Sequence, residues 1–421
     1  MSQKELQRIK VIENAVEGRI TVAEAGEMLG LSERQVKRLK RTYRVGDVEW
    51  VHHGNSGRTP ANAISNELRA SVVELATGKY AGFNDTHLHE KLVQEEGMSM
   101  SRQSVRRILR QAGILSPQKR RAPKYRSRRE RRSQEGAMLL VDASRHDWLE
   151  GRGPYLTLLG LVDDATSRVT VAQFQLEAED SAGYLRLFRR QVSTHGIPVS
   201  IYRDQHGTMQ RNDKHWSVEE QLAGRQFPTQ VGRMLEELGM QAIAAKTPQA
   251  KGRIERAWRT FQDRLVSELR LAGAATLEEA NAVLETFVSE YNERFASQAA
   301  IAGKAYRKLD RRLDLNYIFS LRYSCKVNNA HVIRAIPGVE IQLPALANGR
   351  GYAGRSVEAC QQPNGEFHIY LDRALLHVEP AAAGAGPVRA HPFRKPSGPR
   401  KKKPLAVRTF NAGVFQRGRK L

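Results

Sequence analysis

Met138-Leu139-Leu140-Val141-Asp142 is a short apolar run that ends on a carboxylate. Charged sequence precedes it and a turn at Gly151–Pro154 follows, so it reads as a short buried strand. Outward from it, Tyr155–Val162 and Arg168–Phe174 read as two further strands, and Ala178–Ser193 as an amphipathic helix. Pro198–Tyr202 is a fourth strand leading to Asp204. A polar stretch to residue 227 precedes a helix at Gln230–Leu238 and a fifth strand at Gln241–Ala244. From Gly252 a long helix carries Ile254, Trp258, Phe261, Leu265 and Leu269 at steps of three and four, and Leu277–Phe295 is again helical.

This β-β-β-α-β-α-β-α order is that of a ribonuclease H-like α/β core, expected over residues 137–300. Asp142 ends the first strand and Asp204 follows the fourth, so neighbouring strands would bring both carboxylates to one edge of the sheet. Glu255 lies in the first turn of the long helix, one position beside its apolar stripe, where it can lean over the strand ends. Alone, each acid has a plainer reading: a turn or cap for the aspartates, a dipole partner for the glutamate. Together, three converging carboxylates repel one another unless cations lie between them. With no cysteine and few histidines nearby, hard oxygen-preferring ions suit the site, and two Mg²⁺ (or Mn²⁺) ions are expected. Asp163 and Asp164 are rival acids and read as hairpin carboxylates; His146 reads as a turn residue or a water-positioning group.

The flanks are of a different kind. Residues 5–44 are helical in pattern, with Ala25 and Gly26 small where two helices would cross and Gly30 at a tight turn. Ser32 with Gln35 has the spacing of a capping box. The helix after it turns Val36 and Leu39 inward and leaves Arg34, Lys37, Arg38, Lys40 and Arg41 outward, a face suited to a major groove or simply to water. A second helical unit spans 51–116. Its last helix, Arg102–Gln111, carries Val105, Ile108 and Leu109 inward and Arg102, Arg106, Arg107 and Arg110 outward. Residues 117–136 form a basic linker that includes Arg120 and Arg121. A small β-barrel is expected over 301–383, followed by a basic, disordered tail over 384–421.

The chain has 421 residues and a net charge of +23, from Lys+Arg 68 against Asp+Glu 45. That surplus suits a protein that replaces counterions along a polyanion and is hard to explain for a small-molecule enzyme. Hydrophobic residues at 40% exclude wholesale disorder. Cys325 and Cys360 have no zinc spacing and read as reduced residues. There is no signal-peptide h-region and no long apolar run, so a cytoplasmic, nucleoid-associated bacterial protein is expected.

The segment Leu140-Val141-Asp142-Ala143-Ser144-Arg145-His146-Asp147-Trp148-Leu149-Glu150-Gly151-Arg152-Gly153-Pro154 resembles the first-acid signature of ISNCY-type insertion-sequence transposases, in the integrase-like DDE superfamily. Leu161–Arg168 is similar to the second strand of that core, and His195-Gly196-Ile197-Pro198 through Tyr202-Arg203-Asp204 to its second-acid strand. Thr247-Pro248-Gln249-Ala250-Lys251-Gly252-Arg253-Ile254-Glu255-Arg256 resembles the final-acid segment, and Tyr291-Asn292-Glu293-Arg294-Phe295 the end of the core. The resemblance implies Asp142, Asp204 and Glu255 as the catalytic, metal-binding triad. Lys251 and Arg253 beside Glu255 are candidates for holding phosphates. It further implies double-stranded DNA as partner, cleavage and strand transfer as chemistry, and a homodimer or higher assembly on two DNA ends. Residues 208–227 depart from the compact pattern and are expected to form a loop or flap. The rival readings are a domesticated, non-catalytic DNA-binding regulator and a nuclease that cuts without joining.

Overall fold

The computed structural model describes residues 3–43, 47, 49–51, 63–117, 129–211, 215–245, 252–344, 351–382 and 387–391. The chain divides into two compact units, residues 1–72 and 73–421.

In the first unit, helices α1 (Gln3–Val16), α2 (Val22–Leu29) and α3 (Glu33–Thr42) close on Val11, Ile12, Ala15, Ala25 and Val36. Gly30, at φ +63°, ends α2, and a Cβ on Gly26 would lie 2.8 Å from the Leu31 carbonyl oxygen. Both glycines are therefore required by the turn and the close crossing. The capping box expected at Ser32 is only half formed there, the Gln35 N–H donating to Ser32 Oγ at 3.4 Å. The reciprocal pair belongs to α2, where Thr21 N–H donates to Glu24 Oε2 at 2.7 Å and Glu24 N–H donates to Thr21 Oγ1 at 3.2 Å. Lys40 turns inward and donates to the Ala15 carbonyl.

After α4 (Asn66–Thr77) come α5 (Asp85–Gln94) and α6 (Arg102–Gln111), then the sheet. Its strands are β1 (Met138–His146), β2 (Leu156–Asp163), β3 (Val169–Gln175), β4 (Ser200–Arg203) and β5 (Gln241–Ala244), in the order β3-β2-β1-β4-β5. The first three pair antiparallel, while β4 runs parallel to β1 and β5 parallel to β4. β1 does not stop at Asp142 as its apolar run suggests. It continues to His146 because β2 extends beside it, pairing His146 with Leu156.

Helices cover both faces of the sheet, which is why β2 is buried along its whole length. Leu139, Val141, Leu159, Leu161 and Ile201 face α7 (Ser181–His195) and α9 (Gln230–Glu237). Met138, Leu140, Leu158, Val162 and Tyr202 face α10 (Gly252–Leu271) and α11 (Leu277–Phe295). Phe261 of α10 makes edge contacts with Phe287 and Tyr291 of α11, with ring centroids 5.0 Å apart in each case.

Gly160 is a close contact between α10 and the sheet. A Cβ there would lie 2.4 Å from the Trp258 ring, which is itself buried. Gly160→Val is expected to lower stability by about 1–3 kcal/mol through overpacking and to shift α10 off β2. Urea denaturation checks the first, and an unchanged midpoint would show that the ring has room to move.

The region after α11 is β-rich as expected. Strands β6 (Leu321–Lys326), β9 (Ser356–Gln361), β10 (Phe367–Leu371) and β11 (Ala374–Glu379) form a four-stranded sheet in the order β11-β10-β9-β6, and β7 (Val332–Ile336) with β8 (Val339–Gln342) forms a hairpin. Among the described residues these remain two sheets rather than one closed barrel. Their apolar side chains continue the core of α7 and α9. Cys325 and Cys360 are free and buried there, and burial pushes the Cys325 thiol up to about 11. The basic tail beyond residue 391 lies outside the described residues.

Candidate active site

Register and side-chain parity together place the first two acids. β1 and β4 pair Met138 with Ser200, Leu139 with Ile201 and Leu140 with Tyr202. Asp204 lies just past the end of β4, and the same offset carried two residues further would set it level with Asp142. Asp142 shares the parity of Met138 and Leu140, so it belongs to the face covered by α10. Its partner across β2 is Gly160, the residue on which Trp258 rests. Gln262 Nε2 donates to Ser144 Oγ at 3.2 Å, so α10 advances along β1 in the strand's own direction. Glu255 is exposed and lies in the helical turn before Trp258.

The structure thus brings Asp142 and Asp204 together and sets Glu255 on the adjoining helix start. Among the described residues no three His, Cys, Asp or Glu side chains are gathered closely enough to hold a metal ion. Lys251 and the rest of 246–251, which lead into Glu255, lie outside the described residues.

Glu179, ahead of α7, was not among the acids singled out from the sequence. Burial pushes its carboxyl up; hydrogen bonding to Tyr184 and the charge of His206 oppose this, and Asp204 and Asp142 add to the rise. The two aspartates and Glu179 therefore share one negative field. A donor set made only of carboxylates in such a field fits a hard divalent cation. The sequence signal was present as Glu177, Glu179 and Asp180, but one of these had to cap α7. Asp180 does so, accepting from the Gly183 N–H at 2.9 Å.

Asp163 and Asp164 are both fully buried. Asp163 holds the hairpin, accepting from Gly136 N–H, Thr166 N–H and Thr166 Oγ1, each at 2.8 Å. Asp164 has the larger task. It accepts from Arg129, from the Arg132 N–H at 2.8 Å, and from Arg253 Nη1 at 2.5 Å. Arg129 also lies over the Tyr202 ring, 5.4 Å from its centroid. The end of the basic linker is thereby pinned to the start of α10. Arg253, expected to hold phosphate, has its side chain only 12% exposed in this pair.

Of the other basic candidates, Arg34, Lys37, Arg38 and Arg41 are exposed along α3, and Arg102, Arg106 and Arg107 along α6. Arg110 is turned inward instead, to Asp85 and the Ile114 carbonyl. Arg120 and Arg121 lie outside the described residues. Residues 208–227 are not uniformly a polar loop: they hold the short helix α8 (Val218–Ala223), with Trp216, Val218, Leu222 and Phe227 exposed around it.

A second set of contacts ties α5 to α10 and, through Arg294, to α11. Asn84 Nδ2 donates to Asp263 Oδ2 at 2.6 Å, and His87 Nε2 lies 2.6 Å from Glu268 Oε1. Lys91 reaches Glu268 at 3.0 Å, and Arg264 and Arg294 both reach Glu90, at 2.6 and 2.5 Å. In sequence these groups look like solvated helix faces.

The likenesses to known proteins agree with this organisation. A helix-turn-helix domain model matches residues 7–46. The y4bF protein of Sinorhizobium fredii, which carries a transposase name, is 32% identical over 375 residues, covering 89% of this chain and 79% of its own. The transposase for insertion sequence IS1202 of Streptococcus pneumoniae is 29% identical over 370 residues, covering 78% of this chain and 76% of its own. The catalytic core domain of BIV integrase, at 14% identity, covers 40% of this chain and 90% of that one, with a TM-score of 0.27, too loose a superposition to argue from. No described helix is long and apolar enough to cross a membrane. On the extent of its likeness to y4bF, and with a helix-turn-helix domain over residues 7–46, the chain belongs to the transposase family.

Proposed function

We propose that this transposase, of the ISNCY type, binds the terminal inverted repeats of an insertion sequence and cuts and joins DNA on a ribonuclease H-like core. The observation that carries the reading is that Asp142, on the sheet face α10 covers, and Asp204, just past the end of β4, both bear electrostatically on Glu179. Asp142, Asp204 and Glu255 would hold two Mg²⁺ or Mn²⁺ ions, which when bound polarise the scissile phosphate and lower the pKa of an attacking oxygen. The chain's own part is positioning. β1 carries Asp142 and β4 leads to Asp204, Trp258 seated on Gly160 sets the start of α10, and Asp164 anchors Arg253 just before Glu255. No serine or tyrosine nucleophile is needed, so hydrolysis exposes a 3′-hydroxyl that then attacks target DNA directly.

The segments divide this work. Residues 1–50 and 51–116 read DNA through Arg34, Lys37, Arg38 and Arg41 of α3 and Arg102, Arg106 and Arg107 of α6. Residues 117–136 link them to the catalytic core at 137–300, and 301–383 and the tail follow. Joining two ends calls for a homodimer or larger assembly on DNA.

The test is Mg²⁺-dependent cleavage and strand transfer on DNA carrying the repeats that flank the coding region. Cut and joined products are expected. Cutting without joining would favour a nuclease, and binding without either, under any divalent metal, would favour a regulator.

A further inference from the structure

The outer side of α7 carries charge that the catalytic reading does not use. Arg186, Arg189, Arg190 and Ser193 fall three and four residues apart, so they lie on one side of the helix. They form one wall of a cleft of about 490 Å³, open to solvent. The other wall is the turn from β9 to β10, with Asn364, and His368 just beyond it. Arg189 Nη2 donates to Asn316 Oδ1 at 2.8 Å, and Arg186 Nη2 to Gln175 Oε1 at 3.1 Å. Arg190 is the more exposed and reaches Glu285 at 3.2 Å.

Elsewhere in this unit, enclosed arginines are matched by carboxylates. Arg233 and Arg322 share Glu237, and Arg264 faces Glu90. In the cleft, Arg186 and Arg189 meet only neutral oxygens among the described residues, one hydrogen bond each, although a guanidinium carries several N–H donors. The carboxylate in the lining is Glu366, its Oε2 lying 3.6 Å from His368 Nε2, so three guanidiniums stand against one acid. Such a set suits phosphate, whose oxygens take the planar fork two at a time. Because it is open, the cleft suits a phosphate on a continuous chain, since sites for free small molecules enclose most of their ligand. α7 starts beside Glu179, which feels Asp142 and Asp204. At 1.5 Å per residue, Arg186 and Arg190 lie roughly 8 and 14 Å along it, within the span of one duplex.

We propose that this cleft is a further DNA-contacting site, in which Arg186 and Arg189 hold backbone phosphates whatever the base sequence. The inference rests on the DNA-binding part of the reading above and on none of its catalytic steps.

The experiment measures binding of the full chain to repeat-bearing and unrelated duplexes as salt is raised. Arg186→Gln with Arg189→Gln is expected to lower the slope of log affinity against log salt by about 1.8, the share of two phosphate contacts, equally on both duplexes. Arg312→Gln, whose guanidinium is paired with Asp310 outside the cleft, should keep the wild-type slope. In a second arm, Asn364→Cys in an otherwise unchanged chain meets duplex carrying a bromoacetyl group on one backbone phosphorothioate, its position moved along the strand in turn. A crosslink at position 364 is expected, the native cysteines being buried. This arm decides the matter if the double variant does not fold. A wild-type slope in a folded double variant overturns the proposal, and so does the absence of a crosslink. Calorimetry with adenosine monophosphate separates the two sources of phosphate. Binding by wild type that the double variant loses, with the DNA slope unmoved, assigns the cleft to free nucleotides instead. A wild type that binds neither duplex overturns the DNA-binding reading itself.

Discussion

Asp142→Asn and Asp204→Asn are each expected to cut terminal-repeat DNA about 10³-fold more slowly than wild type and to bind it equally well. Each change keeps the shape of the side chain and removes one negative charge from the shared field of Asp142, Asp204 and Glu179. A bound divalent ion is worth several kcal/mol to the transition state, and each 1.36 kcal/mol is tenfold in rate. The helices proposed to read DNA lie elsewhere in the sequence, so a gel shift on the same DNA should not move. Rates within tenfold of wild type for either variant would remove the aspartates from the catalytic assignment.

Asp164→Ala is expected to cost about 3–5 kcal/mol of stability, the usual penalty for breaking a buried ion pair from one side. Asp164 is fully buried and answers Arg129, Arg253 and the Arg132 N–H at once. Its loss leaves the enclosed Arg253 guanidinium facing Arg129 with no counter-charge, and it frees the linker end from the start of α10. Asp164→Asn keeps an acceptor and should fall between. Urea denaturation gives the stability, and limited trypsin digestion at Arg129–Arg132 reports the release. A loss below about 1 kcal/mol would mean that water replaces the carboxylate without penalty.

Much of this fold is legible in the sequence because its signals are local. The apolar steps of α10 mark a helix that must meet a sheet, and Leu277–Phe295 is helical over the span read from the sequence, with a capping box of Thr276 and Glu279 at its start. Asp142 and Asp204 are singled out in the sequence by the same logic, as acids at strand ends, although β1 runs on past Asp142 to His146. What escapes the sequence is partnership between charges. Ser144-Arg145-His146 looks like a turn until β2 extends beside it. Arg110 and Arg253 look like phosphate ligands until Asp85 and Asp164 are set against them. Glu179 is one acid among three before α7, and only folding shows that it faces the aspartates.

The seam between α5 and the α10–α11 pair is held by shared rather than exclusive partners. Glu90 serves both Arg264 and Arg294, and Glu268 serves both His87 and Lys91. Two apolar surfaces in register resist sliding, because a small offset opens voids. A bifurcated ion pair can lengthen one arm while the other holds, so no charge is stranded as the helices slip. The helix that carries Glu255 is therefore mounted on a bearing. On the proposed reading, with α6 on DNA, load would pass through α5 to α10 as a small displacement along that seam rather than as a break in it.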